Sequence, residues 1–148
     1  MCEKRFAEGA NGSGVSGGSM LTLSHFERSA LQDIATDCGV TWPPLQVLPD
    51  LIRVESRENT GHGFLSRLHS DSHLPSLGIH SPTGERLYRL GGFGEPFGVA
   101  LFLQDGRPSL LDCHFLGTDS TNGTDFCSIT FSVWARTAAI LPRQRVSR

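Results

Sequence analysis

Three observations predict a small α+β domain, an N-terminal amphipathic helix packed on an antiparallel sheet of about five hairpin-connected strands. A capped apolar repeat at four-residue steps stands near the N-terminus. Segments of period two fill most of the chain beyond it, and glycine-rich turns divide them at short intervals.

The helix comes first. Ser24-His25-Phe26-Glu27 has the capping-box pattern, in which the serine hydroxyl and the glutamate carboxylate each satisfy a free N–H at a helix start. Phe26, Ala30, Ile34 and Cys38 succeed it with Leu31 and Ala35 beside them, forming one apolar stripe, and Gly39 supplies the stop. The spacing predicts a helix over about 24–38. Trp42-Pro43-Pro44 then opens a connector with room for one short helical turn before Leu51.

Beyond Leu51 the period changes. Ile52, Val54 and Ser56 alternate with Arg53, Glu55 and Arg57, the mark of a half-buried strand. Asn59-Thr60-Gly61-His62-Gly63 is a turn, and Phe64 to Leu68 is the returning strand. A polar loop covers about 69–85, Arg86 to Leu90 forms a short strand, and Gly91 to Pro96 breaks the chain again. Phe93 and Phe97 are expected to tuck into the core. Asp105-Gly106 separates Val99–Gln104 from Arg107–Phe115 as the best hairpin. Aligning Val99, Leu101 and Leu103 with Leu111, Cys113 and Phe115 keeps apolar side chains together. That register calls for a three-residue loop with Gly106 left-handed and a bulge. The last strand, Phe126–Trp134, turns Cys127, Ile129, Phe131 and Val133 inward.

The chain has 148 residues and a net charge of -2. Residues 21–134 form the domain, where seven Arg face thirteen Asp or Glu, a balance of -6. That acidic body lacks the basic patch a nucleic-acid face needs. Residues 1–20 are rich in Gly and Ser and are expected to be disordered, with Met20 an alternative start of translation; 135–148 form a basic, flexible tail. No run is long enough to span a membrane, and no apolar stretch comes after Lys4 and Arg5, so a cytoplasmic location is expected. Cys2, Cys38, Cys113 and Cys127 show neither CxxC pairing nor zinc-finger spacing, so no disulfide framework or structural zinc is expected.

The turn residues carry a resemblance. Ser56-Arg57-Glu58-Asn59-Thr60-Gly61-His62-Gly63-Phe64-Leu65 and the later Gly98-Val99-Ala100-Leu101-Phe102-Leu103-Gln104-Asp105-Gly106-Arg107 resemble an "SRE-x-TG-x-GF" hairpin and an "F-x-x-DGR" hairpin. Both hairpins, with an N-terminal helix, characterise a family of small, uncharacterised bacterial α+β proteins. The resemblance covers roughly 21–134 and implies the fold, while offering no catalytic residues.

Chemistry-bearing residues are few. His69, Asp71 and His73 stand two apart, a spacing that puts ligands on one face of an extended segment, and His62 at its glycine-flanked turn is a further candidate metal ligand. Ordinary solvated loop residues explain the same pattern. Asp112 and His114 share a strand face as a polar pair, whereas Cys113 between them points the other way and cannot form a dyad with His114. The glycines of 91–98 fail the dinucleotide fingerprint because Phe97 stands at the third glycine position. Glu55 and Glu58 are expected to pair with Arg53 and Arg57 on a solvated face. With no assembled catalytic constellation, the sequence points to a non-catalytic binding or interaction protein that docks through sheet edges and loops, a self-associated dimer being the simplest partner. The alternatives are a metal-dependent hydrolase using His69, Asp71, His73 and His62, and a small-molecule binder with a helix–sheet pocket lined by Phe64, Phe102 and Trp134. No cofactor is expected beyond a divalent metal at the histidine cluster.

Overall fold

The capping box forms as the sequence dictates. In the computed structural model, which describes residues 20–136, Glu27 N–H donates to the Ser24 hydroxyl (3.1 Å) and Ser24 N–H donates to Glu27 Oε1 (2.8 Å). Helix α1 (His25–Asp37) begins there, and Gly39, at φ +76°, ends it. The proline-rich connector leads into a single 3-10 turn, Leu48–Leu51. Six strands come next: β1 (Ile52–Asn59), β2 (Gly63–Ser70), β3 (Arg86–Leu90), β4 (Phe97–Gln104), β5 (Arg107–Phe115) and β6 (Phe131–Arg136).

All six lie in one antiparallel sheet in the order β1-β2-β5-β4-β3-β6. The α+β architecture is therefore the one predicted, with six strands and with α1 on one face. The stripe Phe26, Ala30, Leu31, Ile34 and Ala35 is buried against Val54, Phe64, Tyr88, Phe97, Val99, Leu101, Leu111 and Cys113. Phe26 is the centre of this packing, meeting Phe64, Tyr88, Phe97 and Phe131 edge-on at 6.3, 5.1, 5.7 and 5.0 Å between ring centres. Phe97 is fully buried, and Phe93 tilts over Phe115 at 4.8 Å.

Bulges change what simple alternation predicts. Leu68 pairs with Val54 and Arg67 with Ser56, so Glu55 is an extra residue in β1. Ser56 is thereby exposed and Arg57 turns toward the helix, opposite to the expected parity. The β4–β5 hairpin has the expected apolar alignment, Val99 with Cys113 and Leu101 with Leu111, through a different device. Asp105 and Gly106, at φ 56° and 78°, make a two-residue turn, Gln104 pairs directly with Arg107, and the extra residue is Ser109. The final strand begins later than predicted. Asp125 caps a turn there, accepting from Cys127 N–H (3.0 Å) and the Ser128 hydroxyl (2.8 Å). Val133 is 49% exposed because β6 is the edge of the sheet. Cys38 and Cys113 are free thiols, whereas Cys127 is disulfide-bonded. The expectations for 1–20 and 135–148 fall outside the described residues except at their inner margins.

Two polar clamps fix α1 on the sheet. In the first, Glu27 is fully buried, and Arg57 donates to it from Nη2 (2.6 Å) and Nε (2.8 Å) while the Ser66 hydroxyl donates at 2.6 Å. Arg57 also donates to the Thr22 carbonyl (3.1 Å), so its guanidinium serves the helix side and not only the solvated face expected from the sequence. In the second, Arg86 forks onto Asp37 at 2.9 Å through both Nε and Nη2, and Tyr88 donates to Asp33 at 2.6 Å. Burial, reinforced by the Asp33 carboxylate, pushes the Tyr88 phenol far above its ordinary range.

Burial alone would raise the Glu27 pKa, but the Arg57 hydrogen bonds and charge, with Ser24 and Ser66, outweigh it and hold the carboxyl below its ordinary value. Stability from a depressed carboxylate is present above the unfolded-state pKa of about 4.3 and is lost as pH falls through the lower folded value. Urea unfolding of Glu27→Gln at neutral pH should therefore show a loss of about 3 kcal/mol, because the nearly buried Arg57 loses its counter-charge. The same variant should lose less stability than the wild type on acidification below about pH 4.

Candidate functional site

With α1 covering one face of the sheet, strand register defines the other. β5 presents Leu110, Asp112 and His114 there, and its two neighbours complete three transverse rows. His114 lies between Gly63 of β2 and Gly98 of β4, Asp112 between Leu65 and Ala100, and Leu110 between Arg67 and Phe102. The polar pair thus has Gly63, Gly98 and Ala100 beside it in the sheet, with Leu65 on the remaining side and Leu87 and Leu116 against Gly98. His114 Nδ1 is 3.4 Å from Asp112 Oδ1, and their side chains are 45% and 37% exposed.

The face is apolar for a surface. Leu65, Ala100, Phe102 and Leu110 are half-buried yet lie outside the core cluster, and Leu116 is 54% exposed beside Gly98. Leu87, opposite Gly98 on β3, is buried on this side too. Toward β6, the Arg89 guanidinium lies over the Trp134 ring at 4.1 Å. The sequence signal was available in Val99-Ala100-Leu101-Phe102-Leu103, an unbroken apolar run where a strand with one wet face alternates.

Cys113 faces the core, as alternation predicts. Burial, with the nearby Glu27 and Asp112 charges, pushes its thiol well up, so it supplies no thiolate to His114. Cys113 therefore adds no nucleophile to the Asp112–His114 pair.

The histidine cluster does not assemble. Asp71 Oδ1 accepts His73 N–H (2.7 Å) and lies 2.9 Å from His73 Nδ1, closing a local turn. The His73 backbone N–H, then its side chain, lowers the Asp71 pKa. His69 stands apart with its Nδ1 3.8 Å from Glu55 Oε2. His62 precedes the start of β2, roughly 20 Å from His69 at strand rise, and its Nδ1 is 3.3 Å from the Asp119 carbonyl oxygen. Among the described residues no three His, Cys, Asp or Glu side chains form a group able to hold a metal. Nor do Phe64, Phe102 and Trp134 share a pocket. Phe64 is fully buried against Phe126 at 4.0 Å, whereas Phe102 lies on the opposite face of the sheet. A small hollow does open at the end of α1, lined by Ile34, Asp37, Cys38, Thr83, Gly84 and Glu85.

No protein-family model, curated protein or solved structure matches the chain. Among the described residues no helix is long and apolar enough to cross a membrane.

The two glycines beside His114 differ in what they tolerate. A Cβ on Gly63 would drive into the Cys113 carbonyl, whereas one on Gly98 would make ordinary contacts of 3.4 Å with Leu116 and 3.7 Å with Leu87. Gly63→Ala should cost about 2 kcal/mol or more in urea unfolding, while Gly98→Ala should stay within about 1 kcal/mol of wild type.

Proposed function

We propose that this chain is a non-catalytic binding module whose working surface is the sheet face opposite α1. One observation carries the reading: Leu65, Ala100, Phe102, Leu110 and Leu116 form an apolar field that nothing in α1 covers, with Asp112 and His114 at its centre. Apolar patches rimmed by polar groups mark interaction sites, and a central polar pair fixes the orientation of what docks. An acid–base pair to which the neighbouring Cys113 offers no thiolate fits recognition better than catalysis.

A photo-crosslinking residue placed at Phe102, and separately at exposed Thr36 on α1, checks this in the native host. Discrete adducts are expected from position 102 only. Equal labelling from both positions, or none from 102, would sink the proposal.

A further inference from the structure

We infer that the occupant of this face is a second copy of the chain, packed sheet on sheet about a twofold axis that lies between the sheets, level with Cys113 of β5. The inference rests on the binding-module reading above and names its partner.

Self-complementarity is the reason. Asp112 and His114 flank Cys113 on the same strand and the same face. A twofold axis lying between two sheets and perpendicular to β5 at Cys113 exchanges positions 112 and 114, because an isologous contact pairs residue i with j and j with i. Each carboxylate then meets the other copy's imidazole, and both polar groups keep a partner once desolvated. An unrelated partner would have to supply a base and an acid in the reverse order, which a second copy has by symmetry.

The surroundings permit the approach. Position 114 has glycine on both sides across the sheet, Gly63 and Gly98, and position 112 has Ala100 on one side. Gly63 and Ala100 sit low beside the crossing, Leu116 and Leu87 pack against Gly98, and Leu65, Phe102 and Leu110 supply apolar side chains for contact at the roughly 10 Å spacing of stacked sheets.

Sedimentation equilibrium of the full chain in mildly acidic buffer provides the test. The wild type should dimerise. Asp112→His places four histidines at the crossing and His114→Asp places four acids, so each variant alone should bind itself at least roughly tenfold more weakly. Mixed in equal amounts, the two variants should associate again, since every histidine then faces an aspartate in the heterodimer. Circular dichroism confirms that each variant is folded. A wild type that stays monomeric, variants that dimerise as well as the wild type, or a mixture that fails to recover association overturns the inference. If the wild type is monomeric while Phe102 still crosslinks to a different protein, the second copy is wrong and the binding module stands. If Phe102 crosslinks to nothing, both fall.

Discussion

A buried carboxylate organises this fold. Glu27 closes the first turn of α1, neutralises Arg57 from β1 and accepts the Ser66 hydroxyl from β2, so one side chain fixes the helix against two strands. A buried ion pair is weak evidence of stability by itself, because desolvation consumes much of the attraction. What it supplies here is position. Only one placement of α1 satisfies the helix cap, the guanidinium and the hydroxyl at once, and any slide along the sheet leaves a charge buried without its hydrogen bonds.

The arrangement depends on an irregularity. Without Glu55 inserted as an extra residue, Arg57 would point to the face opposite the helix and could not reach Glu27. The second clamp, where Arg86 and Tyr88 hold Asp37 and Asp33, secures the other end of α1 across β3. Between the clamps the rings around Phe26 fill the interior. The helix is thus committed to one face, and the Asp112–His114 face is left to other contacts.

Local features were legible in the sequence and long-range ones were not. Ser24, Glu27 and Gly39 mark the helix because caps and stops act within a few residues, and Asp105-Gly106 marks its hairpin for the same reason. The bulge expected at the Asp105-Gly106 loop falls at Ser109 instead, and the register shifts at Glu55 in β1 and Trp134 in β6 escape a period-two reading, since each depends on the neighbouring strand. Glu27 was visible as half of a capping box, but Arg57 and Ser66, 30 and 39 residues away, were not visible as its partners. Of the candidate site, alternation alone puts Asp112 and His114 on one face. Gly63 and Leu65 join them only through the β2–β5 pairing, which no local pattern encodes. The histidine cluster failed in the opposite way: proximity along the chain became a closed turn between Asp71 and His73 that leaves His69 with Glu55.

The outermost strands share one trait. β1 carries the Glu55 bulge and has Leu21 bonded to Val54 in both directions across its free side, and β6 carries the Trp134 bulge. Interrupted borders present a poor template for adding another chain. A molecule that associates through the flat of its sheet while its borders are blunted closes its contacts after one partner. If two copies pair as proposed, blunted borders favour a finite assembly over a growing fibre.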